Sequence, residues 1–224
     1  GNANQVLKTD GSGGLDWVDQ TGGGSGLSSD AQNNTVGGTN AGDSFTGTDA
    51  TDNTLIGYDA GTSITSGDGS TAIGKDALEA LTTGGANVAI GYQALQSSTT
   101  GDSNTAIGYQ SLYQSLTTQG NNVAVGRHAG MRSTASSSVF IGDTAGDYSG
   151  GGTKKIIIGK NTGRFNAGDN NIIIGCEASG SATDVANEIT LGNTDITKFR
   201  IPGINFVLKD NGGTPTNGHV LTVD

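Results

Sequence analysis

Between residues 34 and 196 the chain repeats one short pattern: a polar residue, three mostly apolar residues, and a glycine. The clearest copy is Asn104-Thr-Ala-Ile-Gly-Tyr-Gln-Ser-Leu112. Aligned on the glycine, the copies place Gly38, Gly57, Gly74, Gly91, Gly108, Gly126, Gly142, Gly159, Gly175 and Gly192 in one column, at intervals of 16 to 19 residues. Self-similarity at such a period predicts a solenoid, in which each copy is one rung stacked on the next.

The columns predict what each position does. Immediately before the glycine stand Ile56, Ile73, Ile90, Ile107, Val125, Ile141, Ile158, Ile174 and Leu191, with Gly37 in the first copy. Three before it every copy has a β-branched residue, from Thr35 to Ile189, a type suited to pleated strands. These two columns share one face of a strand, and the column between them, which includes Ala72, Ala89, Ala106 and Ala124, points the other way. Because that column is also mostly apolar, both faces are expected to be buried. The reading places the β-branched and isoleucine columns inside the roll as a structural ladder, and the alanines against other copies around a symmetry axis.

A rung of this length has room for two short strands and two turns, but not for a strand, a helix and a return. The fold class expected is therefore all-β, a parallel β-roll of about ten rungs of about 17 residues. Asn, Ser, Lys or Glu precedes each strand, where a short polar side chain can bond nearby backbone. The glycine column predicts either positive φ or close backbone approach. Three residues after it, a column of Ala, Ser and Thr running from Ala41 to Ala178 predicts tight space. The second half of each rung, poorer in apolar residues, is expected to face water.

"NTAIGYQSL", "NVAIGYQAL" and "NVAVGRHAG" resemble the N-S-V-A-I-G head repeat of trimeric autotransporter adhesins and similar repeats of bacteriophage tail fibres. The resemblance covers about 160 of the 224 residues and implies a homotrimeric, left-handed parallel β-roll serving as a shaft or head at a surface, intertwined or side by side. The first copy, with Gly37, and the copies Ile156-Ile-Ile158 and Ile172-Ile-Ile174 depart from the motif.

Along the chain, four segments are expected. In residues 1–21, Gln5-Val-Leu-Lys-Thr-Asp10 and Leu15-Asp-Trp-Val18 flank Gly11-Ser-Gly-Gly14, a β-hairpin signal, in a segment that resembles tailed-phage virion proteins. Residues 22–33 read as a Gly/Ser-rich linker, residues 34–197 as the roll, and residues 198–224 as a C-terminal β segment. Gly218-His-Val-Leu-Thr-Val-Asp224 looks like a second copy of the N-terminal module, so the chain reads as an excerpt of a longer polypeptide.

Composition narrows the function. Forty glycines, 32% hydrophobic and 14% charged residues suit a solenoid better than a globular enzyme of this length. A net charge of -10 argues against nucleic-acid binding, which needs cations against phosphates. No apolar run reaches the roughly 20 residues of a membrane helix. Cys176, the only cysteine, forms no internal disulfide. His128 occupies a loop slot held elsewhere by Asp, Gln or Asn, and the Asp-rich turns lack the nine-residue calcium-roll pattern. No metal, cofactor or catalytic residues are assigned, and no enzyme activity is expected.

Directly after the repeat glycine, Tyr58, Tyr92 and Tyr109 offer amphipathic rings suited to sugars and are the receptor-binding candidates. The competing reading is that each packs over the neighbouring turn. The function expected is a structural and adhesive segment of a phage tail fibre, located on the virion. Its expected partners are two further copies of itself, other tail proteins and a bacterial glycan or protein receptor. The head of a bacterial cell-surface adhesin is the alternative, and a polysaccharide-depolymerising tailspike a third.

Overall fold

The computed structural model describes residues 5–9, 15–19, 27–45, 49–114 and 118–197. Strands β1 (Gln5–Thr9) and β2 (Leu15–Asp19) pair antiparallel, with Gln5 opposite Asp19 and Thr9 opposite Leu15, as the N-terminal pattern predicts. The C-terminal expectations on residues 198–224 lie outside the described residues. By compactness the chain divides after Asn193, and the account below concerns the first unit.

A short strand, β3 (Ser28–Ser29), runs antiparallel to the first rung, with Ser28 opposite Val36. It lies within the segment that composition reads as a linker, and it covers the open backbone edge that a first rung would otherwise expose. Ten three-residue strands follow: β4 (Thr35–Gly37), β5 (Thr54–Ile56), β6 (Thr71–Ile73), β7 (Val88–Ile90), β8 (Thr105–Ile107), β9 (Val123–Val125), β10 (Val139–Ile141), β11 (Ile156–Ile158), β12 (Ile172–Ile174) and β13 (Ile189–Leu191). They form one parallel sheet in sequence order, each pairing with the next in unshifted register. The protein is an all-β parallel solenoid whose repeats are the aligned copies.

Each rung contributes one strand, not two. The return side is a stack of turns tied between rungs by backbone bonds such as Ser63 N–H to Glu79 O at 3.2 Å, Ala80 N–H to Gln96 O at 3.0 Å and Ser97 N–H to Tyr113 O at 3.2 Å. Nor does this half simply face water. Ile64, Leu78, Leu81, Leu95 and Leu112 turn inward from it and are fully buried.

The strand faces are the reverse of the expected ones. Leu55, Ala72, Ala89, Ala106, Ala124, Phe140, Ile157 and Ile173 are 0% exposed within the single chain. Ala72, Ala89, Ala106 and Ala124 therefore line the interior of their own roll and cannot face a symmetry axis. The proposed structural ladder, Ile56, Ile73, Ile90, Ile107, Val125, Ile141, Ile158, Ile174 and Leu191, lies outside, half-buried or exposed.

Interior volume explains the choice. Where the middle strand residue is alanine in β6, β7 and β8, the residue four after the glycine is Leu78, Leu95 or Leu112; where it is Leu55, Phe140 or Ile157, that residue is Gly61, Gly146 or Gly163. The two positions face each other across the roll. A Cβ on Gly61 would stand 2.8 Å from Leu55 Cδ2, one on Gly163 2.9 Å from Ile157 Cδ1, and one on Gly146 would run into the Phe140 ring. One large and one minimal side chain thus fill the cross-section in these six rungs, as close packing demands; in the β9 rung both Ala124 and Gly130 are small, and the neighbouring Leu112 and Phe140 fill the space, 2.8 Å and 2.9 Å from where a Cβ on Gly130 would stand.

The repeat glycines meet both expectations at once. At Gly91, φ is +134°, and a Cβ would lie 2.5 Å from the carbonyl oxygen of Gly108 in the next rung. The residue two positions later, for example Asp76, Gln93, Gln110 or His128, takes a left-handed conformation near +55°, which polar residues adopt more readily than β-branched ones. The small column that follows is buried, with Ala60, Ala77, Ala94, Ser111, Ala129 and Ala145 all at 0%.

Candidate interaction surfaces

An internal polar spine holds the rungs in register. Asn53 donates its side-chain amide to Gly67 O at 2.8 Å, and its Oδ1 accepts the Ser70 backbone N–H at 2.8 Å. Asn87, Asn104, Asn122 and Asn171 donate to their own turns in the same way. Every polar group is paired, so burying the spine carries little of the cost of a lone buried amide.

At β11 the spine changes chemistry. Lys155 is 0% exposed, and the three N–H groups of its ammonium are shared among four acceptors, Ser149 Oγ (3.0 Å), Gly150 O (2.9 Å), Gly151 O (3.0 Å) and Asn166 O (2.7 Å). The interior there is polar, Ser149 and Asn166 standing in the inward column that Ile64 and Leu81 fill nearer the N-terminus. Burial pushes the Lys155 ammonium down to about 8, opposed by the charge of Asp169.

Outward, the sheet presents two ladders, the first and third residues of each strand; the third is aliphatic from Ile56 to Leu191, and the first is threonine in four of the first five strands and Val or Ile beyond them. They run Thr, Ile and Val at the N-terminal end and Ile, Ile and Leu at the other, and Ile73, Ile107, Val123, Ile141, Ile156 and Ile174 are 37–38% exposed, with Leu191 at 50% and Ile189 at 67%. Nine inter-strand steps of about 4.8 Å make this face about 43 Å long. A continuous stripe of that kind is beyond the scattered apolar exposure of an ordinary surface.

Along one edge, just past the repeat glycines, the tyrosines form a column. Lys75 sits with its Nζ 4.9 Å from the Tyr58 ring centre and 6.0 Å from that of Tyr92. Tyr92 stacks on Tyr109 at 5.3 Å, and Tyr109 meets His128 edge-on at 5.4 Å. A parallel polar ladder joins Gln93 to Gln110 at 2.7 Å and Gln110 to His128 at 3.1 Å. The rings do pack on adjacent rungs, yet stay 39–48% exposed. Burial and the charge of Arg127 lower the His128 imidazole below its ordinary value.

A second column lies outside the sequence-based candidates. Six residues after the glycine the rungs carry Ser44, Ser63, Ala80, Ser97, Gln114, Arg132, Tyr148, Phe165 and Ser181. The signal is four consecutive large residues, Gln114, Arg132, Tyr148 and Phe165, interrupting a run of small ones, and it emerges only when this column is aligned. Arg132 lies 4.4 Å over the Tyr148 ring, Tyr148 stacks on Phe165 at 5.4 Å, and Arg164 stands 5.4 Å from the Phe165 centre.

Among the described residues no group of three or more His, Cys, Asp or Glu side chains is arranged to hold a metal, and no helix is long and apolar enough to cross a membrane. Cys176 is exposed. Compared with known proteins, the chain matches no family model, no curated protein and no solved structure.

Proposed function

We propose that this chain is a structural and adhesive segment of a phage tail fibre, a homotrimeric shaft or head that carries or presents host-recognition surfaces. The observation that carries the reading is the outward aliphatic face of β4 to β13. Its period and length are matched by the same face of another copy, and three such faces meeting at an axis would remove the stripe from water. The orientation of the strands relocates the proposed contact: Ile90, Ile107 and Ile141 take the axial place that alanine was expected to hold.

The mechanical consequence fits a fibre. Each rung is tied to the next by strand bonds, turn bonds and the asparagine spine, so bending must strain all three around the cross-section. Three interlocked rolls would be stiffer, and three-fold presentation raises avidity for a repeated surface receptor. The tyrosine column is the proposed contact for a bacterial surface glycan. Virions purified by density gradient from the source phage should contain this chain in the particle fraction, as read by peptide mass spectrometry. Recovery solely with a bacterial envelope would favour the adhesin reading instead.

A further inference from the structure

Charge is unevenly distributed along the solenoid. Residues 127–164 carry six basic side chains (Arg127, Arg132, Lys154, Lys155, Lys160 and Arg164) and two acidic ones, whereas the rest of the chain carries five basic and nineteen acidic. Arg132 and Tyr148 of the second column lie in this basic belt, and Phe165 directly follows its last residue.

Its geometry is not what packing alone requires. The other turns place Ser44, Ser63, Ala80, Ser97, Gln114 and Ser181 at the same position, none of them aromatic. Tyr148 and Phe165 are 42% and 52% exposed, so neither ring serves the interior. Both sit in left-handed backbone, at φ of 57° and 66°, a conformation that bulky residues seldom adopt and that the buried Leu78, Leu95 and Leu112 also take in the turns of this roll. Beneath them lies Asp147, 6% exposed, 3.8 Å from Arg132 and 3.6 Å from Arg164, with its Oδ1 without a hydrogen-bond partner. These separations exceed those of a closed charge-assisted pair. Arg132 also donates its Nε–H to Gln114 Oε1 at 3.2 Å; Asp147 therefore orients both guanidinium groups while their remaining N–H groups are left for a second anion.

We propose that this column is a binding site for a carboxylate-bearing polysaccharide lying parallel to the solenoid axis. The exposed parts of the Tyr148 and Phe165 rings receive the C–H surfaces of sugar rings. The planar forks of Arg132 and Arg164 receive carboxylates, for which guanidinium geometry is matched. The column advances by about 4.8 Å per rung, close to the length of one hexose unit, so successive sugars meet successive rungs. The inference requires neither the trimer nor the virion assignment.

Calorimetric titration of the full chain with oligogalacturonate, maltoheptaose and polyglutamate tests it. Saturable binding of oligogalacturonate alone is expected, weakened at least tenfold by the pair Arg132→Gln and Arg164→Gln, and comparably by Phe165→Asn. Asparagine tolerates the left-handed backbone. Should Phe165→Asn fail to fold, the arginine pair, whose guanidinium ends are on the surface, still decides. Absence of saturable binding, equal binding of polyglutamate, or unchanged affinity in the arginine variant would each overturn the proposal.

Discussion

Gly91→Ala is expected to cost about 4 kcal/mol or more, among the largest effects of any single methyl addition to this chain. Two independent penalties act together. An alanine at φ +134° is held outside the regions open to L-residues, worth roughly 1–3 kcal/mol. Its Cβ would also stand 2.5 Å from Gly108 O and 2.7 Å from Gly108 C, atoms of a backbone ladder that cannot retreat without parting two rungs. Gly69→Ala is the control: φ is +62°, and a Cβ there meets nothing within 4 Å, so about 1 kcal/mol is expected. Urea unfolding followed by far-ultraviolet circular dichroism compares the two. Equal losses would show that inter-rung approach is not what selects glycine.

Ala89→Ile and Leu95→Gly should each destabilise, and together should destabilise less than their sum. Ala89 and Leu95 are both buried, at 0% and 1%. Adding three carbons to Ala89 overfills the section, at about 1–3 kcal/mol. Removing the Leu95 side chain empties it, at about 2–5 kcal/mol on the scale of leucine truncations, partly offset because Leu95 holds φ at 53°. The double variant recreates the Ile157 and Gly163 arrangement of another rung. A coupling of about 0.5–3 kcal/mol is expected; strict additivity would mean the two side chains do not share the bore.

The same pair explains what could and could not be read from the sequence. The solenoid, its rung boundaries and the role of the glycine column were legible because the interval between Gly57 and Gly175 barely varies. The sidedness of the strand was not, since Thr-Ala-Ile and Ile-Ile-Ile are apolar on both faces and period-two reasoning has no contrast to use. The deciding signal was the exchange of size between Ala89 with Leu95 and Ile157 with Gly163, which has meaning only once the two positions are known to face each other. The return half misled for a related reason: Leu78 and Leu95 lie among polar neighbours in non-repetitive turns, where neither helical nor strand periodicity marks an inward residue. The aromatic column at Tyr148 and Phe165 was hidden because the columns before the glycine dominate the alignment.

The outward face is where the fold meets its proposed assembly. Residues from Thr54 and Ile56 to Ile172 and Ile174 flank an interior already filled, so burying them needs material from outside the roll. Light scattering on the freshly purified chain tests this most directly. A mass near three times 22.3 kDa is expected, falling to the single-chain value when Ile90 and Ile107 are both replaced by lysine. A monomer of 22.3 kDa before any substitution would contradict the account.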